Sequence, residues 1–211
     1  DGGFLGGWLG ADGENYLSGV DGLLAQGYLS DKSILSYWPA GYPILIWLLT
    51  KISLTYVIAL ISFTQTIFYA YASYYFVKQL RGTKLQPYMF LIGLALAFNP
   101  TLSLSSLAVG YESPIAACML MVVGLIMKSR QSGHDRQFIL RVIAVGFFSA
   151  LASFMQPRWI LTSIVIALFW ALITKGRKAQ ALILVGVVGV MTLAPAIMMQ
   201  RNIKSIDKAV I

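Results

Sequence analysis

GADGENYLSGVDGLLAQGYLSDKSILSYWPAGYPILIWLL, residues 10–49, changes character partway along, and the change decides the fold. Asp12, Glu14, Asp21 and Asp31 lie in the first part, whereas Pro43 to Leu49 carry no charge. Within residues 12–27, Tyr16, Val20, Leu23 and Leu24 recur at helical spacing, and Gly27 follows where a helix would stop. The spacing predicts a short amphipathic helix lying on a membrane surface. Asp12 stands where an N-cap belongs and Glu14 in the first turn, where the helix dipole favours negative charge. The same two carboxylates, at the aqueous edge of an apolar chain, also suit acid–base chemistry. Tyr37, Trp38 and Tyr42 in the turn YWPAGYP suit the headgroup level, where an aromatic body and a polar tip are both satisfied.

Beyond this stretch the chain is built for lipid. Of its 211 residues 58% are hydrophobic and 11% charged, with a mean hydropathy of +0.74. Soluble domains carry about 25% charged residues. The expected fold is all-α, a polytopic transmembrane helix bundle with an external loop bearing the surface helix. Residues 1–41 form that loop and 42–211 the bundle. A span needs roughly 20 apolar residues, which predicts about six, at 54–78, 86–99, 114–128, 138–155, 159–174 and 179–200. Residues 42–52 are too short to cross and include Lys51, so they are read as a re-entrant or interfacial helix. Asn99-Pro100 and Ser113-Pro114 are expected to break the second and third spans.

Sidedness follows from the loops. Lys78, Arg81, Lys84, Lys128, Arg130, Arg136, Arg141, Lys175, Arg177 and Lys178 fall on one side, with Asp135 the only acid among them. By the positive-inside rule that side is cytoplasmic. The other seven acids, Asp1, Asp12, Glu14, Asp21, Asp31, Glu112 and Asp207, fall on the opposite face or its approach. The acidic loop is therefore expected in the periplasm, an organelle lumen or the exterior. The net charge of +8 is explained by this layout and needs no nucleic-acid partner.

The single cysteine, Cys118, lies in an apolar run and is read as a packed small side chain. His134 falls in a cytoplasmic loop, away from the acids. The chain contains no Gly-rich nucleotide loop, no metal-spaced His cluster and no Ser-His-Asp arrangement. It opens on Asp1 rather than Met and closes on RNIKSIDKAVI directly after an apolar segment, the expectation being a piece of a longer protein.

Five motifs in order carry a resemblance. The helix with Asp12, Tyr16 four residues on and Gly27 at its close comes first, and PAGYP from Pro39 to Pro43 second. FNPTLSLSSLAVGYESPI with Glu112, GFFSALASFMQPRWIL and LAPAIMMQRN follow. In these the chain resembles the GT-C glycosyltransferases, membrane enzymes that use polyprenyl-phosphate sugars, and is similar to the branch of dolichyl-phosphate-mannose protein mannosyltransferases and lipid A aminoarabinose transferases. Two departures stand out. The family's adjacent Asp-Glu is here Asp12-Gly13-Glu14, and its Arg-Pro is here Gln156-Pro157-Arg158.

The resemblance implies inverting sugar transfer from a polyprenyl-phosphate donor to a protein, lipid or glycan acceptor. Asp12 would be the general base, and Glu14 would orient the acceptor or hold a divalent metal. Tyr16, Tyr42 and Glu112 would line the substrate site. Arg158 and Arg201 are the external cations suited to a lipid phosphate, since a guanidinium can fork two donors to it; lipid headgroups are the alternative partner for both. The rival classes are a transporter or flippase, which the Pro-interrupted spans suggest, and a noncatalytic subunit of an envelope assembly.

Overall fold

In lipid, a backbone must satisfy its own polar groups, and the apolar runs of this chain do so as helices. The computed structural model describes residues 8–9, 12–37, 39–132 and 137–209. Asp1, Trp38, His134 and Asp135 lie outside the described residues, as do the side chains of Tyr37 and Asp207.

A two-residue strand, β1 (Trp8–Leu9), precedes helix α1 (Gly13–Gln26), the short α2 (Ile34–Tyr37) and α3 (Gly41–Thr50). The long α4 (Val57–Lys78) follows, then α5 (Met89–Phe98), α6 (Pro100–Ser103) and a second two-residue strand, β2 (Ala108–Val109). The chain continues through α7 (Glu112–Ser132), α8 (Phe138–Met155), α9 (Trp159–Ile173), α10 (Arg177–Met191) and α11 (Leu193–Ala209). β1 and β2 pair in parallel, Trp8 with Ala108 and Leu9 with Val109.

Among the described residues, four helical stretches are long and apolar enough to span a membrane: Val57–Lys78, Glu112–Ser132, Phe138–Met155 and the near-continuous Arg177–Ser205. Residues 86–98 and 100–107 make a fifth only if a pair bent by 53° counts as one span. The chain is thus a multi-pass helical protein of four or five spans, fewer than the six expected. Asn99 causes the bend: its backbone is extended ahead of Pro100, and its side chain caps the next helix by accepting from Leu102 N at 3.0 Å. Pro114, by contrast, breaks nothing. It falls in the first turn of α7, where an amide hydrogen is not needed, so the expected 114–128 runs over 112–132 instead. The expected 159–174 span is α9, whose 15 residues reach only about 22 Å at about 1.5 Å each, short of the roughly 30 Å hydrocarbon core.

The outward faces identify the solvent. On α4, Phe63, Ile67, Tyr71 and Tyr74 lie on one stripe and are all more than half exposed. Phe90 and Phe98 on α5, Leu161, Val165 and Leu172 on α9, and Val185 on α10 are likewise exposed. Water does not tolerate so much contiguous apolar surface, and acyl chains do.

Inside, Trp170 is buried among Val122, Ile126, Phe138, Val142, Val145, Ile183 and Val187. Helices α8 and α10 approach closely because of facing glycines: a Cβ on Gly186 would meet Val142 Cγ1 at 2.6 Å, and one on Gly146 would meet Val190 Cβ at 2.9 Å. Cys118 is fully buried in a second cluster with Tyr16, Tyr42, Ile46, Ile61 and Met155, as a small packed side chain should be.

Helix α1 forms where the spacing predicts and stops at Gly27, whose φ of 77° favours glycine. Its apolar face meets protein: Tyr16, Val20 and Leu23 are buried, while Leu24 is 42% exposed. Gly19 permits the approach, since a Cβ there would lie 2.9 Å from Leu35 and 3.2 Å from Pro43. The helix is therefore seated on α2 and α3, which follow it.

Candidate functional site

Chain order puts the starts of α1, α3, α7 and α9 and the end of α8 at one end of the bundle. The basic loops after α4, α7 and α9 are at the other. The site elements are held at the acid-bearing end by short-range constraints. Gly41 is the tightest: a Cβ there would lie 1.8 Å from the Phe154 carbonyl oxygen, so α3 starts in backbone contact with the end of α8. Tyr42 is thereby fixed one residue into the helix.

Around Tyr42 three phenol rings meet edge to face. Tyr16 lies 4.9 Å from Tyr42 and 5.8 Å from Tyr111, and Tyr42 lies 6.5 Å from Tyr111, between ring centroids. The Tyr42 oxygen accepts a hydrogen bond from Gly110 N at 3.0 Å and another from Gln65 Nε2. Gln65 Nε2 also donates to Gly110 O at 3.2 Å. Burial holds the Tyr42 phenol well above its ordinary pKa, against the two hydrogen bonds, which lower it, and with help from the Glu112 charge. Tyr42 is thus a neutral donor. As the amide is oriented, Gln65 Oε1 is buried without a partner among the described residues, and so is Ser113 Oγ. Unpaired buried polar groups are costly, and a bound water, ion or ligand group would relieve the cost.

The strand pairing brings the acids to the same end of the bundle. Asp12 is three residues beyond Leu9 and Glu112 three residues beyond Val109, and those two are paired. Each acid is therefore within about 11 Å of the pairing by chain reach. Asp12 occupies the N-cap position of α1 but makes no side-chain capping hydrogen bond; Tyr16 N bonds to its backbone carbonyl at 3.2 Å. The capping role open to Asp12 in the sequence is not the one its carboxylate performs. Glu14 is exposed in the first turn, as expected. Glu112 is exposed and folds back over Gly110, whose Cβ would meet Glu112 Oε2 at 2.4 Å.

Arg158 is exposed at the start of α9 and donates from Nη2 to the Tyr111 oxygen at 2.8 Å; Gln156 Nε2 donates to the same oxygen at 3.0 Å. Among the described residues this is the only hydrogen bond of the Arg158 side chain.

Arg201 is elsewhere. It is 1% exposed and donates from Nε to Tyr28 O at 3.0 Å, from Nη2 to Ser30 O at 2.9 Å and from Nη1 to Asn202 Oδ1 at 3.0 Å. Its ring partner is Tyr28, at 5.9 Å. It pins α11 to the loop after α1. Arg201→Met should strip the two loop carbonyls of their charged donor and lower stability by about 2–3 kcal/mol, read as a drop in the unfolding temperature of the detergent-purified protein. An unchanged melt would deny it that role.

Beneath Tyr42 and Gln65 lies a half-open apolar cavity of about 300 Å³, between α3, α4, α7 and α8. Leu45, Leu48, Leu49, Ile61, Phe68 and Leu151 line it. Cavities of this size are at the lower bound for small-molecule sites.

Tyr16 and Tyr42 are thus gathered by ring contacts, Arg158 through Tyr111, Glu112 by its charge beside Tyr42, and Asp12 and Glu14 by chain connection, while the Arg201 donors are taken up by the loop after α1. Gln65, Tyr111 and Gln156 belong to the site and were not singled out in the sequence. Gln65 carried a signal, an amide in the middle of an apolar span. The described residues bring no three His, Cys, Asp or Glu side chains together in a metal-binding group. Compared with protein-family models, curated proteins and solved structures, the chain shows no match, and the reading of the site rests on its own geometry.

Proposed function

We propose that the chain is the membrane part of a glycosyltransferase that moves a sugar, with inversion, from a polyprenyl-phosphate donor to an acceptor hydroxyl or amine. The observation that carries this reading is the junction of the apolar cavity with the polar cluster. Leu45, Leu49, Ile61 and Phe68 offer an isoprenoid chain an apolar bed, and Tyr42 and Gln65 stand at its end. Arg158 supplies an exposed cation beside Tyr111, suited to the phosphate.

The acceptor's lone pair attacks the anomeric carbon as the bond from that carbon to the phosphate oxygen breaks. The electron pair departs with the phosphate, and the positive charge of Arg158 favours that charge build-up. The acceptor proton passes to the Asp12 carboxylate. Tyr42, kept neutral by burial, can donate to a sugar or phosphate oxygen. A divalent ion, if one is used, would need only a carboxylate or two plus the substrate phosphate, a set within the means of Asp12 and Glu14.

The test is transfer from labelled polyprenyl-phosphate sugars of long and short chain length, in membranes carrying the protein or its Leu48→Trp variant. Leu48 lines the cavity and is 52% exposed, so an indole there fills the cavity without overpacking the core. Transfer from long-chain donors should fall about tenfold in the variant, with short-chain donors little affected. Equal rates for both chain lengths would remove the cavity from the reading. The 53° break at Asn99-Pro100 favours one rival, a transporter. Labelled substrate crossing sealed vesicles without transfer would establish it.

A further inference from the structure

A second cavity, of about 240 Å³, lies at the opposite, basic end. It is lined by Ser129 and Arg130 at the end of α7, Phe138 at the start of α8, and Trp170, Ile173, Thr174 and Lys175 at the end of α9. Its makeup is two-sided. Phe138 and Trp170 are buried and form an apolar floor, with rings 6.0 Å apart, edge to face. Arg130 and Lys175 are exposed cations, and neither side chain has a hydrogen bond or ion pair among the described residues. Arg141, 6% exposed, donates from Nε to Ser129 Oγ at 3.1 Å and places a third cation behind the cavity wall.

From these observations we infer that this cavity binds the phosphate-bearing headgroup of an anionic membrane lipid, with Arg130 and Lys175 on the phosphate and the lipid's apolar part against Phe138, Trp170 and Ile173. Three features favour a lipid over a soluble anion. Leu172, next to Ile173, is 80% exposed, and Ile139 and Leu140, next to Phe138, are 53% and 65% exposed. The cavity is therefore flanked by acyl-facing surface on two helices. Its volume is below the range of about 300–1,000 Å³ usual for drug-sized ligands, which suits a headgroup better than a whole nucleotide. Basic clefts between helices at the membrane boundary recognise lipid phosphates by this combination of charge and apolar floor.

The test uses the protein in a neutral detergent, with dioctanoyl phosphatidylglycerol, dioctanoyl phosphatidylcholine and inorganic phosphate as probes, and reads binding isotherms and unfolding temperature. Phosphatidylglycerol should bind saturably and raise the unfolding temperature, and the other two should not. Removing both cations, Arg130→Gln with Lys175→Gln, should weaken that binding about 30-fold, roughly fivefold for each charge. Lys175→Gln alone keeps the test open if the double variant does not fold, and should cost about fivefold. The same charge removed at the same end but off the cavity, Arg81→Gln with Lys84→Gln, should weaken it less than about threefold. Equal binding of phosphatidylcholine would overturn the role of charge. Equal binding of inorganic phosphate would overturn the lipid, and equal losses in both double variants would leave only a diffuse field.

Discussion

Asp12→Asn is expected to lower sugar transfer by about 10²–10⁴-fold, the range for loss of a general base, while leaving the melting behaviour of the protein almost unchanged. The second half of that expectation gives the first its meaning. A carboxylate that capped α1 would lose a structural bond on replacement, but the Asp12 side chain makes no capping bond. Asparagine is itself as good an N-cap as aspartate. The charge lost beside the helix dipole is worth about 0.3–1 kcal/mol at most. Rate and unfolding temperature should therefore separate, with the donor's KM held close to the parent value because Asp12 meets the acceptor. Transfer at the parental rate would strip Asp12 of the base role, and Glu112→Gln would then be the variant to assay, since Glu112 lies equally far beyond the same strand pairing. A fall in rate matched by a fall in melting temperature would mean a structural acid.

Gly41→Ala carries the largest expected cost to stability. The added methyl would sit 1.8 Å from the Phe154 carbonyl oxygen. That atom belongs to the backbone at the end of α8 and cannot swing aside as a side chain can, so α3 must lift off the bundle. Overpacking of this kind costs about 3 kcal/mol or more. Tyr42 would move with the helix and lose Gly110 and Gln65, so folded yield and transfer should fall together. Gly189→Ala is the control. It too is in a helix, but nothing lies within 4 Å of its added methyl, and helix propensity alone should then stabilise by up to about 1 kcal/mol. Thermal unfolding followed by size-exclusion of the soluble fraction reads both. Equal melts for the two variants would show that the Gly41 contact is not tight in the working protein.

The fold was legible where local patterns carry it. Hydropathy marks α4, α8 and the α10–α11 stretch, and the spacing of Tyr16, Val20 and Leu23 with Gly27 marks α1 almost to the residue. Proline was harder to read, because its effect depends on helix position. Pro100 follows a residue already extended and bends the chain, while Pro114 sits inside a first turn and is absorbed. What α1 packs against was hidden too. An apolar stripe reports that a face is covered, and lipid and protein cover it equally well in the pattern; the close approach at Gly19 is a tertiary fact.

The site was half legible for the same reason. Asp12, Tyr16, Tyr42, Glu112 and Arg158 stand at helix openings, which sequence can locate. The bond from Gly110 N to the Tyr42 oxygen joins residues 68 apart, and the Arg158–Tyr111 bond residues 47 apart, and no local period encodes either. Arg201 shows the converse. Its charge and position matched a phosphate ligand, and only the carbonyls of Tyr28 and Ser30, at the far end of the chain, assign its donors.

The pairing of β1 with β2 also sets a timetable for biogenesis. Leu9 cannot find Val109 until the intervening hundred residues have been made and α4 and α5 have entered the membrane. At about 5–20 residues per second that is a wait of roughly 5–20 s after Leu9 is made. The clamp from Arg201 onto Tyr28 and Ser30, across 173 and 171 residues, closes later still. An acid-bearing segment that waits for its strand partner can sample its surroundings while the first helices assemble, so a nascent chain stalled before residue 108 should hold the helices already made but lack the β1–β2 pairing beside the candidate site.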